Sequence, residues 1–374
     1  MAGIYVHIPF CRQTCFYCDF HFSTNQRLKT EMVDAIIKEL ILQKEYLKAE
    51  KVETIYFGGG TPSLLSGREI GSILDVIYDF YDVIHTPEVT LEANPDDLSK
   101  QKLIELYHSG INRLSIGIQS FSDRVLKYLN RAHTAEEALA SLNNAIEVGF
   151  NNLSIDLIYG IPGRDEVQWI EDLKKATLLS PTHISAYSLT VEPQTVFGKW
   201  SKQNKFPPLD DDQAARQFEI MLDHLKENSF EQYEISNFCI PGFHSKHNTS
   251  YWQQKKYLGI GPSAHSYDGV SRQYNISKNA VYIKSVNNRT IPATKEKLTV
   301  SDQVNEYLLT TLRTKWGSNM KMLKQKYEID ILRKQGDYIS QLRANSYVQI
   351  ENEHIVLTDK GKLFADQISA DLFV

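Results

Sequence analysis

Residues 4–22 read IYVHIPFCRQTCFYCDFHF. The opening IYVHI is a short β-branched and apolar run of the kind that forms a buried strand. It leads directly into a loop that holds Cys11, Cys15 and Cys18, three of the chain's four cysteines. So few thiols in 374 residues cannot be a disulfide framework, and three of them in eight residues point to metal ligation. The CxxxCxxC spacing supplies three thiolates. A four-iron cluster takes one per iron, so it would keep one iron open to a small molecule. A zinc site of the Cys3His kind would instead recruit His21 as its fourth ligand. The cysteines alone leave both readings open, along with accidental clustering. Cys239, remote from the others, reads as a small core residue.

Outward from this loop the chain alternates short apolar runs with amphipathic helical stretches. IYVHI, ETIYF, VTLEA, RLSIGIQ, LSIDLIYG and HISAYSL are the strands; Gln26–Ala49, Arg68–Tyr81, Ser99–Ser109, Asp123–Leu129, Ala135–Val148 and Glu166–Leu179 are the helices. Six parallel strands with crossover helices follow from this rhythm. Cys11 to Cys18, Gly58 to Thr61, Glu92, Gln119 and Asp156 all stand at or just past C-terminal strand ends. Residues gathered from so many strands favour a partial TIM-like (β/α)6 barrel, whose chemistry collects at that rim, over a doubly wound sheet with one switch point.

The expected division is a barrel over 1–200, a connector and accessory region over 201–290, and a C-terminal domain over 291–374. KQNKFPPLDDD (Lys202–Asp212) reads as a connector into a helix from about Gln213 to Lys226, and Asn287–Ser301 as a polar linker. Helical patterns at Asp302–Thr314 and Met320–Tyr327, a hairpin around Asn352–Glu353 and a last helix suggest a winged-helix-like α+β tail. A hydrophobic fraction of 42%, a charged fraction of 23% and a net charge of only -5 mark an ordinary globular chain and argue against a nucleic-acid partner. Neither a spanning apolar run nor a signal peptide is evident, so a cytoplasmic location is expected.

YFGGGTPSLL (Tyr56–Leu65) offers backbone N–H and C=O groups that glycine leaves accessible, yet it lacks the pattern of a phosphate loop or a dinucleotide fingerprint. Taken with CxxxCxxC and its aromatic Tyr17, then LEANPDD, RLSIGIQSF, LNRAHT, IDLIYGIPG and HNTSYW in that order over residues 3–270, it makes the chain similar to a known family. The chain resembles the radical S-adenosylmethionine proteins related to oxygen-independent coproporphyrinogen III oxidase. The fit is weaker through the C-terminal domain.

The resemblance implies that Cys11, Cys15 and Cys18 bind a [4Fe-4S] cluster whose open iron chelates S-adenosylmethionine. It implies that Tyr5, Gly59, Gly60, Thr61, Glu92, Gln119, Arg131, Asp156 and Thr190 line the cofactor site. Their chemistry suits that role: Glu92 and Asp156 can accept ribose hydroxyls, Gln119 can donate and accept, and Arg131 can pair with the methionine carboxylate.

One scaffold of this kind hosts both an anaerobic coproporphyrinogen decarboxylase and a heme chaperone. Two departures from the oxidase pattern favour the chaperone branch. Phe20 stands where the oxidases extend the motif to CxxxCxxCxC, and the chain begins only a few residues before Tyr5, without the oxidases' N-terminal segment. That branch implies heme as cargo, heme-accepting proteins such as respiratory complexes as partners, a reductant for the cluster, and a place at the membrane periphery. Heme needs an apolar cleft, cations for its propionates and an axial ligand. His247 in HNTSYW is the first candidate for heme contact and His265 the second, with His7 expected beside the cluster.

Overall fold

The βα rhythm folds as read. In the computed structural model, which describes residues 1–48 and 50–374, strands β1 (Ala2–Ile8), β2 (Val52–Gly59), β3 (Val83–Ala93), β4 (Arg113–Gln119), β5 (Leu153–Tyr159) and β6 (His183–Ser188) lie parallel and in sequence order. Helices Lys29–Leu42, Gly67–Phe80, Lys100–His108, Ala135–Val148 and Glu166–Leu178 form the crossovers. The first is shorter than expected, and Ala49, its predicted last residue, lies outside the described residues. Helix starts are set locally: Ser66 with Glu69 and Thr134 with Glu137 form reciprocal capping boxes.

The two faces of these strands differ. Ile4, Val6, Ile8, Leu91, Leu114, Ile116, Ile155, Leu157 and Ile184 are fully buried in one apolar core under the helices. Each such side chain contributes about 1.5–3 kcal/mol by leaving water. The residues between them include Tyr56, Glu92, Arg113, Asp156 and Ser185, which line a cavity on the inner face. Parallel sheets usually bury apolar side chains on both faces. Here only the helix-facing side does so, and the inner side is a polar hollow.

The segment 201–290 is not an appendage, because its strands lengthen the same sheet at both edges. β8 (Asn237–Cys239) pairs antiparallel with β6, and β7 (Glu231–Glu234) with β8. On the other side β9 (Lys256–Ile260) runs parallel to β1, followed by β10 (His265–Tyr267), β11 (Ser271–Asn275) and β12 (Ala293–Lys297). Among the described residues the sheet has twelve strands. The predicted linker Asn287–Ser301 therefore contains an edge strand. Its ATKEK sequence has no buried face, and its charges protect the open edge.

Glu39, fully buried in helix Lys29–Leu42, ties that edge to the barrel. Its carboxylate accepts from the Gly261 N–H at 2.8 Å, from Asn275 Nδ2 at 2.7 Å, from Gln43 Nε2 at 2.7 Å and from the Tyr282 hydroxyl.

The C-terminal region has its own core around Val304, Leu308, Leu323, Ile355 and Leu372. Helices Val300–Thr311, Met320–Tyr327 and Ile331–Ala344 pack with a sheet of β13 (Ser318–Asn319), β15 (His354–Leu357) and β14 (Val348–Glu351). The β14–β15 turn falls at Asn352 and Glu353, both with positive φ (46° and 65°), as a tight two-residue hairpin demands. Arg313 Nε bonds Glu234 at 3.0 Å and fastens this unit to the barrel edge. Among the described residues no helix is long and apolar enough to cross a membrane.

Replacing Glu39 by alanine leaves four buried donors unpaired. Urea denaturation should show a loss of about 3 kcal/mol or more for Glu39→Ala, against about 1 kcal/mol for Tyr282→Phe, which removes a single hydrogen bond.

Candidate functional site

The cysteine loop is held by continuation of the β1–β2 pairing beyond the strands. The Gly60 N–H donates to Ile8 O at 2.9 Å and the Thr61 N–H to Phe10 O at 2.7 Å. A Cβ at position 60 would lie 2.6 Å from Phe10 O, so only glycine permits this approach. The loop closes on itself through Cys11 N–H to Ser23 O (3.1 Å) and Ser23 N–H to Pro9 O (2.9 Å). Farther along, the Phe16 N–H reaches Leu129 O at 3.1 Å, and its ring packs edge-on against Phe197 and Trp200.

The three free thiols are half-buried and line a cavity of about 1090 Å³. Thr61 Oγ1 donates to Cys11 Sγ and Arg131 Nη1 to Cys15 Sγ, each at 3.4 Å. Burial pushes the Cys11 thiol up to about 11 and the Cys18 thiol up to about 12. His21, the fourth ligand a zinc site would need, turns elsewhere: its Nε2 bonds Asn279 Oδ1 at 2.8 Å and its ring stacks on His7. Three thiols with His21 turned away fit a cluster with one open iron.

Strand ends supply the rest of the cavity wall. Glu92 accepts from the Tyr56 hydroxyl at 2.7 Å and the Gly59 N–H at 3.2 Å. Asp156 accepts from Ser115 Oγ at 3.3 Å. Burial raises both carboxyls, Glu92 to about 7 and Asp156 to about 6. Arg131 Nη2 donates to Asn94 Oδ1 (2.7 Å) and Gly117 O (2.8 Å), and its Nε is buried without a partner. Gln119 ends β4 at φ +66°, an unusual conformation for a side chain of this type.

Cys11, Cys15, Cys18, Gly59, Gly60, Thr61, Glu92, Gln119, Arg131, Asp156 and Thr190 thus surround one hollow. Asn94, Gly117 and Arg113 belong there too, although sequence reasoning did not single them out. Gly117 carried a legible signal, since a glycine inside a strand marks close approach. A Cβ there would meet Gln119 Nε2 at 3.0 Å and Arg131 Nη2 at 3.2 Å. Arg113, only 1% exposed on the inner face, was readable from the alternation of RLSIGIQ.

Tyr5 and His247 lie outside this hollow. Tyr5 stacks against Tyr56 inside the barrel and lines a neighbouring cavity. HNTSYW lies within a helix, Lys246–Trp252. Ser245 caps it, and the N–H groups of Lys246 and His247 donate to Glu88 at 3.1 and 3.0 Å. His247 is 1% exposed, with Nδ1 bonded to Thr54 Oγ1 at 2.7 Å and Nε2 to the Tyr251 hydroxyl at 2.9 Å. In this arrangement both ring nitrogens of His247, the first candidate for heme contact, are engaged by protein hydroxyls. Burial, with Arg113 adding, lowers its pKa to about 3.

Residues 5–176 match the Radical SAM superfamily and residues 298–364 the HemN C-terminal domain. The heme chaperone HemW of Lactococcus lactis is 34% identical over 96% of this chain and 93% of its own length. This chain belongs to the heme chaperone branch of the radical S-adenosylmethionine proteins related to coproporphyrinogen III oxidase. HemW of Bacillus subtilis is 33% identical over 98% of both chains. Coproporphyrinogen III oxidase (HemN) from Escherichia coli, described as a radical SAM enzyme, superposes with a TM-score of 0.85 over 100% of this chain and 90% of its own. At 22% identity that likeness speaks for the shared fold, a partial barrel with a C-terminal domain.

Buried His247 should be visible in the acid response of this chain. His247 remains neutral in the folded protein down to about pH 3, whereas in the unfolded chain it takes up a proton near 6.5. Its contribution to stability is complete above 6.5 and is lost as pH falls toward 3. In urea unfolding between pH 4 and 6, His247→Gln should therefore flatten the slope of stability against pH by up to about 1.4 kcal/mol per unit.

Proposed function

We propose that this protein is a heme chaperone that holds a [4Fe-4S] cluster on Cys11, Cys15 and Cys18, with S-adenosylmethionine on the open iron, and delivers heme to acceptor proteins. Bound together, that pair would supply one-electron chemistry. The chain's own residues would bind and orient it: the Gly59–Thr61 backbone would border the cofactor, and Glu92 and Asp156 would accept hydroxyl hydrogen bonds. Arg131 and Gln119 address a carboxylate and an amine. Acceptors such as respiratory complexes, and a reductant for the cluster, complete the reading.

The observation that carries it over the oxidase alternative is Phe20. This aromatic is 69% exposed two residues after the last cluster cysteine. The oxidases place a cysteine there, and a phenyl ring can neither ligate nor donate. An exposed ring of this size beside a cofactor loop is suited to covering an apolar cargo. Similarity to heme chaperones along nearly the whole chain supports the same reading.

Anaerobic reconstitution should give about four irons per chain, one thiolate to each of three. Cys15→Ser should abolish that loading while Cys239→Ser keeps it; stoichiometric zinc in place of iron would sink the cluster assignment. On one reconstituted preparation, hemin titration should saturate and an anaerobic coproporphyrinogen assay should show no decarboxylation. Turnover to protoporphyrinogen without saturable heme binding would overturn the chaperone reading in favour of the oxidase.

A further inference from the structure

We propose that heme binds in the second cavity, on the far side of Phe20 from the thiols, and that the His265 imidazole is the side chain that meets the iron. The inference rests on the heme-chaperone reading and adds a location and a ligand to it.

This cavity encloses about 530 Å³ between β1, the loop after Cys18, β9 to β11 and helix Val300–Thr311. Small-molecule sites commonly span about 300–1,000 Å³. Its walls are aromatic: Tyr5, Tyr251, Tyr257 and Tyr267 face it, with Phe20 at the side shared with the thiol-lined hollow. Such faces suit a flat conjugated ligand. Lys255, ion-paired with Glu53, and Arg272 bring positive charge for its carboxylates. Arg272 Nη2 is bridged to Glu306 at 2.9 Å, but its Nε is buried with no partner.

The histidines around the cavity are not equivalent. His7 spends both ring nitrogens, on the Tyr5 hydroxyl (3.1 Å) and His21 O (2.9 Å). His21 spends one on Asn279. The His265 ring is exposed and stacks on Tyr274 across the β10–β11 hairpin at 5.6 Å, and among the described residues neither of its nitrogens has a hydrogen-bond partner. Partial burial and the neighbouring Arg272 lower its pKa, which favours the neutral, metal-binding form.

Its position follows from the glycines of GIGPSAH. A Cβ at Gly259 would lie 2.0 Å from His265 O, and one at Gly261, where φ is +102°, would lie 2.5 Å from His7 O. Only glycine at both places lets the chain pack against β1 at Gly261 and double back to set His265 against β9. The HNTSYW helix serves the same cavity indirectly. Tyr251 faces the ligand space while its hydroxyl bonds the hidden His247. His247 is thus a positioning residue for Tyr251.

Hemin titration of the reconstituted full chain, followed by Soret absorbance, tests this. His265→Ala should shift the Soret maximum and weaken affinity about tenfold or more. Because the ring is exposed and unbonded, the fold should persist, as judged by circular dichroism and iron content. His247→Ala should weaken binding without moving the Soret band, and metal-free protoporphyrin IX should bind wild type and His265→Ala alike. In Phe20→Trp, hemin should quench the added tryptophan emission. Absence of hemin binding by the wild type would remove the chaperone reading itself. Saturable wild-type binding with an unchanged Soret band and affinity in His265→Ala, or unquenched emission from Phe20→Trp, would leave that reading standing and overturn this cavity and ligand.

Discussion

Two backbone hydrogen bonds, from the Gly60 N–H to Ile8 O and from the Thr61 N–H to Phe10 O, determine where the cysteine loop can stand. They carry the parallel β1–β2 register past the strand ends, so the loop leaves the sheet at a height set by sheet geometry and not by loop preference. Thr61 then reaches Cys11, and Asn94 Nδ2 reaches Thr61 at 3.3 Å. From Asn94 the chain of contacts passes to Arg131 and on to Cys15. A side chain at position 60 would break the first contact, and each later one is placed by those before it.

The barrel interior accepts an arrangement that a sealed core would reject. Glu92, Asp156, Arg113 and Arg131 face a shared hollow, where burial raises both carboxyls and the Asp156 charge raises Glu92 further. Closely packed charges of this kind are costly unless paired, and the Nε atoms of Arg113 and Arg131 remain without partners. Such unsatisfied groups, with the positive φ of Gln119, concentrate where a polar ligand would relieve them. The apolar face of the same strands, packed under the helices, offsets the cost.

Much of this was legible because local and global preferences agree. The six strands and their helices declare themselves through apolar runs, capping residues and turns, and Asn352–Glu353 marks a hairpin whose geometry admits few alternatives. Where the local signal is weak, reading fails. ATKEK has no apolar period, since an exposed edge strand needs none, and by sequence it reads as a linker. HNTSYW is seven residues of helix with its flanking lysine, too short to show a period, and its helical form depends on Glu88 from a strand 158 residues away. Glu39 gave no sign of its role, because its four partners come from its own helix, β11 and two separate segments near it.

By itself the sequence determined the alternation of strand and helix, the three-thiol loop and the polar residues at strand ends, because each depends on spacing within a few residues. Only the tertiary structure decided which histidine is accessible. On paper His247 is the first candidate ligand and His265 the second, and the difference the structure makes lies in partners supplied by distant strands. Thr54 and Tyr251 occupy both nitrogens of His247 inside the barrel, whereas Gly259 and Gly261 let His265 come to the rim of an aromatic cavity with its nitrogens unspent. Burial and hydrogen-bond occupancy are properties of the packed chain, and no local stretch of residues encodes them.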